Sequence, residues 1–261
     1  MRKREPLFFY HDLYMKDLTS YWKKCLTGKK VLITGGSTGI GREITLLLSA
    51  LGANCLICGR HQEPIDETIR AAKQKCSGIA ADLAKPQDIE RVFEVVDTAL
   101  GGIDILINNA ALGYGSATDG DHQDINYIVQ TNLTAYLSCS QQAAERMEAA
   151  GNGHIVNIGS MSADVREKGS SVYVATKAGI QGFSEALRKE LNPKGIKVTL
   201  IEPGATDTDM QPGTAEGKKA KVKKKEMLTA EEVAMAVGFC LAQDQRTDIV
   251  SLQIRPHKQL I

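Results

Sequence analysis

The stretch Thr34-Gly35-Gly36-Ser37-Thr38-Gly39-Ile40-Gly41 decides the fold. It follows the apolar run Val31-Leu32-Ile33 and opens an apolar stretch that continues at helical spacing through Leu48. Glycine lets a chain turn within few residues and lets its backbone approach another group closely. A helix start behind such a turn offers free N–H groups and the positive end of its dipole, which together hold a phosphate. A purely structural glycine turn is the competing reading. Strand, glycine turn and helix in succession favour dinucleotide binding.

Outward from this turn, apolar runs recur at 55–58, 79–81, 105–107, 155–158, 198–201 and 249–254. They are continuous rather than alternating, as strands buried on both faces are. Helical patterns separate them, for example over 89–100 and 229–241. The alternation predicts an α/β, three-layer doubly wound (Rossmann) fold, with a mostly parallel seven-stranded sheet and helices on both faces. One domain is expected over 29–261. Residues 211–225 are rich in Gly and Lys and lack periodicity, so a mobile substrate loop is expected near 211–228.

Residues 1–28 form an extension before the first strand. Leu7, Tyr10, Tyr14, Leu18, Tyr21 and Cys25 recur every three or four residues, one face of a helix. Aromatics concentrate here, so the segment is expected to dock on its own domain or on a neighbouring subunit. It opens Arg2-Lys3-Arg4, but His11, Asp12, Lys16 and Asp17 interrupt any apolar core and no small-residue cleavage site follows. Export is therefore not expected.

The 261 residues carry 32 basic and 31 acidic side chains, a net charge of +1, which gives no global reason for a nucleic-acid partner. No apolar stretch is long enough for a membrane span. The six cysteines do not form a disulfide framework. Cys55 and Cys58 make a C-x-x-C, but within a strand residues three apart point to opposite faces. They read as buried small hydrophobes, and a cytoplasmic location is expected. The histidines are scattered, so no metal is expected.

The spacing T-G-x-x-x-G-I-G resembles the short-chain dehydrogenase/reductase family, in its single-domain branch. That resemblance implies that Gly35, Ser37, Thr38, Gly39, Ile40 and Gly41 hold a dinucleotide. Asp82-Leu83 resembles the family's adenine-contacting pair. Asn108-Asn109-Ala110 resembles its N-N-A-G, with Ala111 replacing the final glycine. Asn109 and Ala110 would then lie beside the cofactor. Pro203-Gly204-Ala205-Thr206-Asp207-Thr208 resembles the segment that meets the nicotinamide carboxamide, through Pro203, Gly204, Thr206 and Thr208. The second strand ends Gly59-Arg60-His61 and lacks the acid that binds the ribose 2′-hydroxyl of NAD. Arg60 can pair with a 2′-phosphate. NADP(H) is therefore expected over NAD(H), with Arg60 as a solvated surface charge the alternative.

Tyr173-Val174-Ala175-Thr176-Lys177 places a phenol and an ammonium one helical turn apart. A nearby ammonium stabilises phenolate and is expected to lower the Tyr173 pKa, fitting it for proton transfer. Ser160, after the strand at 155–158, is a second donor for an oxyanion. Singly, each has a bland reading: surface decoration for Tyr173 and Lys177, a helix cap for Ser160. In the family, residues matching Ser160, Tyr173, Lys177 and Asn132 form the catalytic set, the Asn helping to hold a water that links the Lys to solvent. The resemblance implies an oxidoreductase interconverting a small-molecule carbonyl and alcohol, working as a homodimer or homotetramer. The chain's end is similar to the branch of serine and 3-hydroxy acid dehydrogenases, which suggests a 3-oxoacyl thioester or a 3-hydroxy acid as substrate. The stretch 218–225 carries six lysines, read either as a solvated loop or as a basic lid for an anionic substrate. A non-enzymatic NADP(H) sensor or partner-binding protein on the same fold is the alternative function.

Overall fold

The apolar runs become strands because helices cover both of their faces. The computed structural model describes residues 18–73 and 75–259. The strands are β1 (Lys30–Thr34), β2 (Asn54–Gly59), β3 (Cys76–Ala80), β4 (Ile105–Asn108), β5 (Gly153–Ile158), β6 (Ile196–Pro203) and β7 (Ser251–Ile254). They form one sheet in the order β3-β2-β1-β4-β5-β6-β7, and every pairing is parallel. The helices are α1 (18–26), α2 (Gly39–Ala50), α3 (Gln62–Ala71), α4 (Pro86–Val95), α5 (His122–Val129), α6 (Ala135–Ala150), α7 (Ser162–Val165), α8 (Ser171–Leu191), α9 (Ala215–Lys223) and α10 (Ala230–Leu241). This is the three-layer doubly wound Rossmann fold.

Alternate residues of each strand feed two cores. Val31, Ile33, Cys55, Ile57 and Ile107 join Leu48 of α2 and Val237 of α10 on one face. Leu32, Leu56, Cys58, Leu106 and Ile155 join Phe93 of α4 and Cys139 of α6 on the other. Cys55 and Cys58 thus separate onto opposite faces as reduced thiols, and burial pushes Cys58 up to about 12. A thiol held protonated in this way is inert.

Boundaries shift where apolarity is a poor guide. β3 starts at Cys76 rather than at residue 79, because Ser77 and Gly78 pair with Leu56 and Ile57. Gly78 is required there, since a Cβ would strike the Ile65 side chain. β7 begins at Ser251, not at residue 249, and its exposure alternates because it is an edge strand.

Two expectations are corrected. Residues 211–225 are not a bare loop: α9 lies within them, started by the Thr214 hydroxyl accepting from the Gly217 N–H. Lysine and alanine are good helix formers even without an apolar stripe. In the extension, Leu18 and Tyr21 are exposed. Cys25 of that stripe packs partly buried against the core, beside Trp22 and Leu26, one turn apart on a neighbouring face, which are buried in it. Trp22 packs directly over Gly238 of α10. Leu7, Tyr10 and Tyr14 lie outside the described residues.

Among the described residues, no helix is long and apolar enough to cross a membrane.

Candidate active site

Between β1 and β4 the strand order reverses, and ligands of doubly wound sheets bind at the carboxyl ends beside that switch. A cleft of about 1060 Å³ lies there. Its floor is the glycine turn. Gly35 has a φ of 63° and Gly39 a φ of 50°, left-handed values that favour glycine. A Cβ on Gly41 would run into the Gly35 carbonyl oxygen and the Asn109 amide. Asn109 staples the turn by donating from Nδ2 to the carbonyls of Thr34 at 3.0 Å and Gly35 at 3.1 Å. In return, the Thr34 hydroxyl accepts from the Asn109 and Ala110 N–H groups at 2.9 and 3.1 Å. Ala111 is not among the positive-φ residues, so its methyl adds no backbone strain.

One arm of the cleft is lined by Ser37, Thr38, Ile40, Arg60, His61, Asp82 and Leu83. Arg60 is exposed there. Asp82 is fixed by accepting from the Tyr127 hydroxyl at 3.1 Å and the Ala84 N–H at 3.2 Å. The segment from Pro203 to Thr208 closes the floor. Thr208 approaches Gly39, and Ala205 N–H donates to the Gln259 side chain at 3.0 Å. Lys218 does not face solvent with its neighbours. It is 9% exposed, donates to the Thr208 carbonyl at 2.8 Å and pairs with Asp207 at 3.4 Å. One lysine of the basic stretch therefore braces the cleft.

Ser160, Tyr173 and Lys177 meet at the centre, brought there by the end of β5 and the first turns of α8. The Ser160 hydroxyl lies close enough to the Tyr173 phenol to oppose the rise in its pKa, and it accepts from the Ser162 N–H at 3.1 Å. Lys177 is buried; its Nζ donates to the Ile158 carbonyl at 2.9 Å and sits 5.7 Å from the Tyr173 ring centre. Burial pushes Lys177 down to about 7. The expected lowering of Tyr173 is not found. Burial raises it above the ordinary tyrosine value, the Ser160 hydroxyl opposes this, and the Glu167 carboxylate adds to it. A lysine that burial drives towards neutrality offers little charge to stabilise a phenolate.

Asn132 is buried beside the cleft. It lies in a π-helical turn, Gln130–Thr134, between α5 and α6. Both ends of its amide hold Leu112, accepting from its N–H at 2.8 Å and donating to its carbonyl at 2.7 Å. Asn132 thus fixes the cleft wall rather than lining it.

Several residues carried no sequence signal. Tyr136 of α6 is buried, donates to the same Ile158 carbonyl at 3.1 Å, and lies with its ring centre 5.4 Å from Lys177 Nζ. Thr131 lines the cleft and its buried hydroxyl has no partner among the described residues. Glu167, Tyr114 and Met210 line the outer part. None belongs to a spaced motif, and only the tertiary fold gathers them. No group of three potential metal ligands occurs among the described residues.

Residues 29–219 match the short chain dehydrogenase family model. An uncharacterized oxidoreductase of Staphylococcus epidermidis is 32% identical over 229 residues, covering 87% of this chain and 97% of that one. One from Staphylococcus aureus is 30% identical over 233 residues, covering 88% and 98%. Among solved structures, a short chain dehydrogenase from Burkholderia cenocepacia in complex with NADP has a TM-score of 0.79 at 32% identity, covering 88% of this chain and 98% of that one. A short-chain dehydrogenase/reductase from Serratia marcescens has a TM-score of 0.80 at 28% identity, covering 90% and 99%.

Proposed function

The chain belongs to the short-chain dehydrogenase family, and on that footing we propose that it is an NADP(H)-dependent enzyme interconverting a carbonyl and an alcohol. The observation that carries this reading is the convergence of Ser160, Tyr173 and Lys177 in the glycine-floored cleft, with Lys177 Nζ 5.7 Å from the Tyr173 ring centre.

The residues present fit a dinucleotide. Gly35 and Gly41 let the turn close against Asn109 and Ala110, where a Cβ would clash, and the N-terminus of α2 borders the cleft through Gly39 and Ile40. Ser37, Arg60 and His61 would hold the 2′-phosphate. Asp82 and Leu83 would flank the adenine. Ala110, Thr206 and Thr208 would border the nicotinamide. NADP in the Burkholderia cenocepacia relative supports the same choice. The bound dinucleotide would supply or accept a hydride.

Reduction of a carbonyl puts hydride on carbon and a proton on oxygen. Tyr173 would donate that proton. Burial and Glu167 keep the phenol protonated at neutral pH, the state a general acid requires. The Ser160 hydroxyl would donate a second hydrogen bond to the substrate oxygen. Lys177, fixed on Ile158, would place its amino group by the ribose and phenol. Asn132 is read here as a positioning residue for the Leu112 wall. Pairing of copies into a homodimer or homotetramer, and a cytoplasmic location, remain expectations. The 3-oxoacyl thioester and 3-hydroxy acid substrates rest on the chain's end and on the basic stretch 218–225, and the Glu167 and Asp209 carboxylates in the cleft lining argue against the acid.

The test follows NADPH absorbance at about 340 nm with a panel of ketones and aldehydes. Turnover that falls by roughly two orders of magnitude or more in Tyr173→Phe is expected. Full turnover in that variant would refute the mechanism. Tight NADPH binding with no turnover on any carbonyl would favour a cofactor sensor.

A further inference from the structure

The outer half of the cleft, beyond Tyr173, is where a substrate's body must lie. Its walls are Leu112, Tyr114, Met161, Val165 and Met210 on the apolar side, with the Glu167 and Asp209 carboxylates at the opening. Both carboxylates are exposed, and neither forms an ion pair among the described residues. Glu167 only accepts from the Ser162 hydroxyl at 3.0 Å. The cationic lining residues are elsewhere. Lys177 is buried beneath Tyr173, and Arg60 belongs to the far arm with Ser37. Arg166 and Lys168 flank Glu167 and are exposed, and neither forms an ion pair with it. Arg166 donates to the Ala163 carbonyl at 3.3 Å, and neither Arg166 nor Lys168 lines the cavity. The lysines of α9 do not line it either.

We infer that Glu167, aided by Asp209, sets the charge preference of the substrate site, which takes an apolar carbonyl compound bearing a cationic group and disfavours a carboxylate. The inference rests on the oxidoreductase reading and deepens it. An apolar wall with a carboxylate at its rim is a site for a hydrophobic cation: the body is desolvated while the charge stays near water, opposite a counter-ion. The field of Glu167 reaches the reacting centre, since it acts on the Tyr173 phenol. Any anion seated against Tyr173 therefore meets repulsion.

The size follows from Coulomb's law. At about 6 Å, in a water-like medium, one unit charge alters binding roughly threefold, so oppositely charged probes separate by roughly tenfold. Of the α9 lysines, Lys218 is buried and already paired with Asp207 at 3.4 Å, while exposed charges elsewhere on α9 are screened by salt over about 8–10 Å.

The experiment uses three ketones with one aryl body, ending in trimethylammonium, a neutral methyl ester or a carboxylate. kcat/KM with NADPH, and calorimetric affinity for the NADP-saturated protein, are measured for each. The ammonium probe should exceed the carboxylate by roughly tenfold in both readouts. Glu167→Gln should collapse most of that ratio. Glu190→Gln should not, because Glu190 lies seventeen residues along α8 from Tyr173, roughly 25 Å away. Equal preference for the three probes, preference for the carboxylate, or an unchanged ratio in Glu167→Gln would overturn the inference. Charge-selective binding without turnover of any probe would leave it standing and overturn the oxidoreductase reading instead.

Discussion

Replacing Lys177 with methionine should flatten the pH dependence of folding stability. Burial pushes the Lys177 ammonium down to about 7. In the unfolded chain a lysine keeps its proton to about pH 10.4. Between those values the unfolded state binds more protons than the folded state, so stability rises with pH. Below pH 7 both states are protonated and the contribution is constant. Other groups bound the useful window. His154, pushed down to about 3 by burial, binds its proton only in the unfolded state below about pH 6.5, so its contribution is nearly complete by neutrality. The buried thiols Cys55, Cys58 and Cys139 are raised, so they oppose Lys177 once unfolded thiols ionise above about pH 8.5. From pH 7 to about pH 8.5, Lys177 should therefore add ~1.5 kcal/mol, allowing for its half-titration at the lower end. Urea unfolding at several pH values measures this. The fluorescence of Trp22, the chain's one tryptophan and a buried one, provides the signal. Wild type should gain stability across the window and Lys177→Met should not. Parallel curves would refute the reasoning, because they would mean that folding leaves the lysine's proton affinity untouched.

Gly41→Ala should force the turn open, because both atoms in the path of the new methyl are fixed by backbone and by Asn109; a loss of about 1–3 kcal/mol in urea unfolding and weakened NADPH titration are expected. Arg60→Ala should raise the KM for NADPH by roughly ten- to a hundredfold while sparing NADH, as loss of hydrogen bonds to a charged group would; an unchanged NADPH to NADH ratio would return Arg60 to a solvated charge. Trp22→Ala should cost about 3–5 kcal/mol in chemical denaturation, which would make α1 an integral part of the domain.

The fold was legible because most strands carry a continuous apolar run and the glycines of the 35–41 turn are backbone necessities. Ser160, Tyr173 and Lys177 were legible because a helical turn and a strand end suffice to bring them together. What escaped depends on partners far away in the chain. The charge state of Lys177 is set by burial against Tyr136 and Ile158, which no local spacing encodes. The docking face of α1 was misjudged because one turn of helix offers two apolar faces, and only the core beneath selects Trp22 and Leu26. Neither a solvated loop nor a basic lid singles out one of the six lysines, yet Lys218 turns inward because Asp207 and the Thr208 carbonyl await it.

The mutual clasp of Thr34 and Asn109 has a mechanical corollary. Four hydrogen bonds cross from β1 to the residues after β4, at the place where the two halves of the sheet part to make room for a ligand. A hinge there would have to break all of them together. Traffic through the cleft must therefore depend on its outer rims, the stretches around Leu112 and Met210, while the floor stays still. Exchange rates should respond to changes at those rims and be indifferent to how tightly the seam is sewn.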